Sequence, residues 1–208
     1  MICFVSMKTK QQVLFIHGGT PFADRNGYIE VLKNKTIRLE WIEQKRDWKN
    51  NLYQDLGDDF VVYNPQMPNK QTAKYSEWKV VFEKLLSAIN DGVILVGHSL
   101  GALFLVKYLS EEVVSKRIKK TILLGTPFDE AGMDNEPLLS FAREGALEQF
   151  SKQSGEIYFY HSEDDFVVPF GHLAKYQSEL PGATFRSFKD LNHFIVGSVT
   201  GLIEDVKS

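Results

Sequence analysis

The stretch VILVGHSLGALFLVKYL, residues 93–109, constrains this chain more than any other. An aliphatic run that reads as a buried strand over 93–97 stops at Gly-His-Ser-Leu-Gly. It resumes at once as an apolar segment over 100–112 that reads as a buried helix. A turn that only reversed the chain would sit among polar residues. Gly97 and Gly101 flank Ser99 with one residue between on each side. A strand turning this sharply into a helix brings backbones together, so side chains at the flanking positions would clash. The serine then stands on a strained apex above a helix N-terminus, where free amides stabilise a developing oxyanion. The bare pattern is short, and an ordinary turn with a capping serine is its alternative. The strand directly before and the helix directly after favour a nucleophile.

The rest of the chain supplies a frame for that turn. Further strands are predicted over 12–19, 60–65, 120–125, 156–161 and 183–188, and helices over 41–57, 75–92, 170–180 and 194–206. Apolar strands alternating with helices predict a compact α/β fold, a mainly parallel sheet of about six strands covered on both faces. The 208 residues show no internal repeat or linker and read as one domain, 1–208. Two stretches lack clear periodicity, 20–40 and 126–155. The first is a candidate for a small flap, and the second has room for one or two short helices. The start, MICFVSMKTK, reads as a short leading strand, or translation begins at Met7.

A serine hydroxyl needs a base. Of the five histidines, His17 ends the first strand and is expected to brace the glycine loop. His98 lies inside the turn and is expected to point elsewhere, while His161 and His172 suit structural roles. His193 falls in FKDLNHF, after the last strand and before the last helix, and is the candidate base. The acid that holds its tautomer comes from HSEDDFVVPF. Asp165 is the first choice because the apolar stop after it can hold the loop rigid, and Asp164 is the alternative. Asp190 shares the short loop of His193 and is poorly placed to buttress it. The order Ser99, Asp165, His193 is the nucleophile, acid, base order of α/β-hydrolases. The amide of Leu100 is one expected oxyanion donor, and the glycine loop FIHGGT supplies a second from Gly19, with Thr20 as an alternative. Phe22, Phe128, Phe170 and Phe194 fall near sheet-edge loops and are candidates to line an acyl pocket.

Composition excludes several other classes. A net charge of -3 without a long basic run leaves no electrostatic footprint for nucleic acid. No run reaches the roughly 18 apolar residues of a membrane span. The single cysteine, Cys3, permits no internal disulfide and fits a cytoplasmic setting.

The stretches VLFIHGG, NPQMPN followed by EWKVVFE, GHSLGALFLVKYL, HSEDDFVVPF and NHF resemble the α/β-hydrolase superfamily. More narrowly they resemble the small serine hydrolases of the retinoblastoma-binding protein nine and YdeN type. The resemblance runs from about residue 12 to 196. It implies a sheet without a large cap domain, the triad Ser99, Asp165 and His193, and hydrolysis of esters or related acyl compounds with no metal or organic cofactor. The partner it implies is a small-molecule acyl substrate. A weakly catalytic protein-binding member of the fold, or a thioesterase or acyltransferase using the same triad, is the alternative. Asn192 departs from the Gly-His pair common in such loops; asparagine tolerates left-handed φ, so the loop is expected to survive.

Overall fold

The computed structural model describes residues 9–39, 42–133 and 137–208. The leading strand expected near the start, and the alternative start at Met7, fall outside the described residues. Among the described residues six strands form one sheet: β1 (Gln11–Ile16), β2 (Phe60–Tyr63), β3 (Val93–His98), β4 (Ile118–Leu124), β5 (Glu156–Ser162) and β6 (Thr184–Phe188). Their order is β2-β1-β3-β4-β5-β6, and every neighbouring pair is parallel. The helices are α1 (Arg25–Asn34), α2 (Trp48–Leu56), α3 (Tyr75–Ala88), α4 (Leu100–Glu111), α5 (Glu148–Gln153), α6 (Gly171–Glu179) and α7 (Leu202–Lys207).

Alternation along the strands divides the core in two. Leu14, Ile16, Leu95 and Leu123 join Trp78 and Phe82 of α3 and Phe104 of α4. Val13, Phe15, Ile94, Val96, Ile122 and Leu124 join Trp48, Leu52 and Leu56 of α2 and Leu202 and Val206 of α7 on the other face. The central strand β3 is buried at every position, which is why it reads as an unbroken aliphatic run. On the first face Phe104 meets Trp78 and Phe82 edge-on, with centroids 5.7 and 5.2 Å apart. Each such buried ring contributes about 1.5–3 kcal/mol through burial.

The strand order reverses direction at β1. The chain runs from β1 outward to β2, then returns to β3 on the other side. Loops leaving the carboxyl ends of β1 and β3 therefore diverge around a crevice, the place where open parallel sheets bind ligands.

Two expected helices are shorter than their patterns suggest. The segment expected to be helical over 41–57 begins its helix only at Trp48, where the Asp47 carboxylate accepts from the Lys49 amide at 2.9 Å. The segment expected over 194–206 is helical only from Leu202. Phe194 takes φ 52° and Gly201 φ 79°, both left-handed, so the chain between them cannot be continuous helix. The 126–155 stretch holds a short 3-10 turn, Leu139–Phe141, and α5. The 20–40 stretch holds α1, none of whose residues is buried. Tyr28, Ile29 and Leu32 share one face of α1, but that face does not reach the core.

A polar cluster ties the last helix to the sheet. Arg186 of β6 grips the Asp205 carboxylate through Nε and Nη2, and the Tyr160 hydroxyl of β5 donates to the same group. Lys120 of β4, fully buried, donates to the Asp205 carbonyl at 2.9 Å. Burial alone would raise the Asp205 pKa, but the Arg186 and Tyr160 hydrogen bonds outweigh it and hold the carboxyl below its ordinary value. Replacing Asp205 by alanine removes the carboxylate that accepts from Tyr160 and Arg186 and leaves only the main-chain carbonyl that Lys120 bonds. It should lower stability by roughly 1–3 kcal/mol, read from urea unfolding at neutral pH.

Candidate active site

The turn after β3 closes by backbone contact. A Cβ placed on Gly101 would stand 2.3 Å from the Ile16 carbonyl oxygen and 2.4 Å from that of His17. One on Gly97 would stand 2.6 Å from Ala102 Cα. No side chain fits either gap, so both glycines are fixed by packing rather than by φ. Between them Ser99 takes φ 56°, ψ −126°, a costly conformation of about 1–3 kcal/mol. Its backbone is held from both sides: the amide donates to Leu124 O at 2.9 Å, and the carbonyl accepts from Ala102 N at 2.9 Å. Its hydroxyl makes no capping bond and its side chain is only partly buried.

The amides expected to face a substrate oxygen are those of Leu100 and Gly19. Neither has an acceptor among the described residues, whereas Thr20 N donates to Lys70 O at 2.8 Å. The Thr20 alternative is thus already engaged. A Cβ on Gly19 would stand 2.6 Å from the same Lys70 carbonyl, and one on Gly18 would stand 3.1 Å from Ser99 Cβ. The glycine loop therefore runs against the serine.

His193 follows β6, and its Nδ1–H donates to Asp165 Oδ2 at 2.8 Å, with Oδ1 at 3.0 Å. Asp165 Oδ1 also accepts from the Val167 and Val168 amides, both at 2.9 Å. Burial pushes this carboxyl up, but the His193 bond and these two amides hold it below its ordinary value. Asp165 and His193 pack against the strand end that holds the Ser99 backbone. Ser99 N is bonded to Leu124 O, and a Cβ on the next residue, Gly125, would stand 3.1 Å from His193 Cε1 and 3.4 Å from Asp165 Oδ2. Gly125 has φ 55°, so its lack of a side chain serves both the turn and the space for the imidazole.

Asp164, the alternative acid, faces elsewhere. Its Oδ1 accepts from the Asn192 amide at 2.9 Å and from the Ser162 hydroxyl. Ser162 Oγ in turn accepts from Leu191 N at 3.0 Å. Asp165 thus holds the ring of His193, and Asp164 holds the backbone leading to it. Asn192 takes φ 51°, the left-handed conformation expected of it.

The other four histidines brace loops. His17 Nε2 accepts from Met67 N at 2.9 Å, and Nδ1–H donates to Gly18 O at 2.6 Å. His98 Nε2–H donates to His193 O at 2.9 Å. His161 Nε2–H donates to Val168 O, and His172 joins the Phe128 amide to the Ala131 carbonyl. Each accepting carbonyl places a proton on the bonded nitrogen, and at His17 and His172 the other nitrogen accepts from an amide, which requires the neutral ring. The contact of His98 with His193, and that of Trp48 and Lys49 with Phe194 O at 3.0 and 3.1 Å, had no sequence signal. These partners lie 95, 146 and 145 residues apart.

Of the four phenylalanines considered for an acyl pocket, Phe194 is fully buried against Phe188 in the core. Phe128 packs on Tyr176 and Phe170 on His161, while Phe22 pairs with Tyr28 in the 20–40 stretch. Among the described residues no group of three or more His, Cys, Asp or Glu side chains is arranged to hold a metal ion. No helix among them is long and apolar enough to cross a membrane.

The sequence pattern of the serine hydrolase family matches residues 42–206. No curated protein matches by sequence. Among solved structures, the YdeN product of B. subtilis superposes with TM-score 0.68 at 17% identity, over 95% of this chain and 97% of that one. An esterase domain from a Rhodothermus marinus protein gives 0.60 at 16%, over 92% and 80%. A methylesterase from Arabidopsis gives 0.57 at 12%, over 95% and 97%. These likenesses establish the α/β-hydrolase fold.

Two outcomes follow from this geometry. Gly101→Ala forces a methyl into two backbone carbonyls and should cost about 3 kcal/mol or prevent folding. Gly171→Ala, which meets nothing within 4 Å, should stay within about 0.5 kcal/mol; urea midpoints compare them. Burial, first, lowers the pKa of His17, His98 and His161 below the ordinary 6.5. The unfolded chain then binds protons that the folded chain refuses. Stability is complete above pH 6.5 and falls as the pH drops below it, so thermal midpoints should decrease from about pH 7.5 to about pH 5.5.

Proposed function

The chain belongs to the serine hydrolase family, and from that premise we propose that it cleaves carboxylic esters through an acyl-enzyme on Ser99. The observation that carries this reading is the buried Asp165–His193 pair, 2.8 Å apart, packed against Gly125 beside the backbone that presents Ser99. A buried imidazole oriented by an ionised carboxylate next to a strained, uncapped serine is a base aimed at a nucleophile.

In this reading the substrate is a small acyl compound. Ser99 Oγ attacks its carbonyl carbon while His193 Nε2 takes the hydroxyl proton. Asp165 keeps the other ring nitrogen protonated and stabilises the imidazolium. The Leu100 and Gly19 amides receive the oxyanion. Collapse expels the alcohol, protonated by His193. Water, deprotonated by His193, then attacks the acyl-enzyme and releases the acid. Atoms balance as ester plus water to acid plus alcohol. Neutral braces at His17, His98 and His161 suit this scheme, because a second cation near the imidazolium would oppose its formation.

Ser99→Ala should abolish hydrolysis of p-nitrophenyl esters and labelling by a fluorophosphonate probe. Asp165→Asn should lower kcat by about 10³–10⁴-fold. Asp164→Ala, which frees a loop amide but not the ring, should lower it only about tenfold. Equal losses in the two aspartate variants would reassign the acid, and an unlabelled wild type would end the reading.

A further inference from the structure

We infer that His98, with Trp48 behind it, is a positioning residue that sets the place of the His193 loop relative to the nucleophile. The inference rests on the triad reading above and extends it to a residue outside the triad. His98 is covalently next to Ser99, and its Nε2–H donates to the main-chain carbonyl of His193 at 2.9 Å. One short stretch of backbone therefore presents the nucleophile and, through a single side chain, holds the base loop at a fixed distance.

The loop needs such support. His193 lies between Asn192 and Phe194, with φ 51° and 52°, two left-handed residues that are not glycine. Asymmetric side chains resist this conformation, so the loop is stable only if outside groups over-determine it. Asp164 holds it upstream through the Asn192 amide. Downstream, Trp48 Nε1 and Lys49 Nζ donate to Phe194 O, and Trp48 N donates to Val196 O at 3.3 Å. His98 takes the central carbonyl. Its ring lies 4.9 Å from that of His193 and 6.0 Å, edge-on, from that of Trp48. On its far side Nδ1 faces Gly18, where an added Cβ would stand 3.5 Å away. Glycine loop, nucleophile turn and base loop thus converge on one imidazole.

The chemistry of the contact accounts for the residue type. The ring is buried and bonds to a carbonyl oxygen, so it stays neutral with its proton on Nε2. It gives direction without charge. Lysine or arginine there would put a permanent cation beside the base.

Glutamine and methionine match each other in length, and only glutamine carries an N–H able to reach the His193 carbonyl. His98→Met should lower kcat by about ten- to a hundredfold with KM nearly unchanged. His98→Gln should recover most of that loss, and the rate of fluorophosphonate labelling at Ser99 should follow kcat in both. A role in packing alone predicts equal behaviour of the two variants; that result, or wild-type kcat in His98→Met, overturns the inference. If His98→Met does not fold, Trp48→Phe reads the same device, since it keeps a ring behind His98 and deletes the indole donor to Phe194 O, leaving that of Lys49. A lowered kcat supports the inference, and wild-type kcat overturns it. A wild type labelled at Ser99 alongside indifferent variants leaves the triad standing and removes only the positioning role.

Discussion

The structure depends on how closely helix α4 can approach strand β1. Gly101 lies within contact of the carbonyls of Ile16 and His17, with no room for one more carbon. That approach lets the chain turn from β3 into α4 within five residues, and the turn forces Ser99 into its unfavourable conformation. The strain is local and small, and the buried aliphatic strand and helix on either side hold it. The proposed chemistry starts from a serine that cannot relax.

The electrostatics of the site separate one ionised partner from several neutral ones. Asp165 stays charged although buried, because two amides and the imidazole satisfy it. Three other histidines close to these loops are kept neutral by burial and spend their hydrogen bonds on backbone. In the proposed reaction charge would develop on the His193 imidazole, while the surrounding rings act as fixed dipoles.

The sheet and the turn around Ser99 were legible in the sequence for the same reason: both are local. Alternation in β1 and β3 follows from a period of two, and the glycine spacing around Ser99 states the turn outright. The proposed order Ser99, Asp165, His193 rests on strand counting, and of it the structure shows the pairing of Asp165 with His193. Features set by distant contacts were not legible. The irregular run from Phe194 to Gly201 looks helical because its apolar spacing is dense, yet hydrogen bonds from Trp48 and Lys49 draw its carbonyls away from helix geometry. Asp164 and Asp165 are adjacent and chemically identical. Only the path of the loop decides that one takes a ring and the other an amide. His98 was expected to point elsewhere than into the turn; its destination, the His193 carbonyl, lies beyond any local pattern.

Helix α1 follows the glycine loop directly, and no residue of it enters the core. It also lies before residue 42, where the match to the family pattern begins. Its Val31 and Leu32 face solvent, as do Ile37 and Leu39 just beyond. A segment bound by so little packing is free to vary in sequence and length while the sheet beneath it keeps its register. Substitutions on this helix therefore carry little penalty in folding, whereas one added carbon at Gly101 meets two carbonyls.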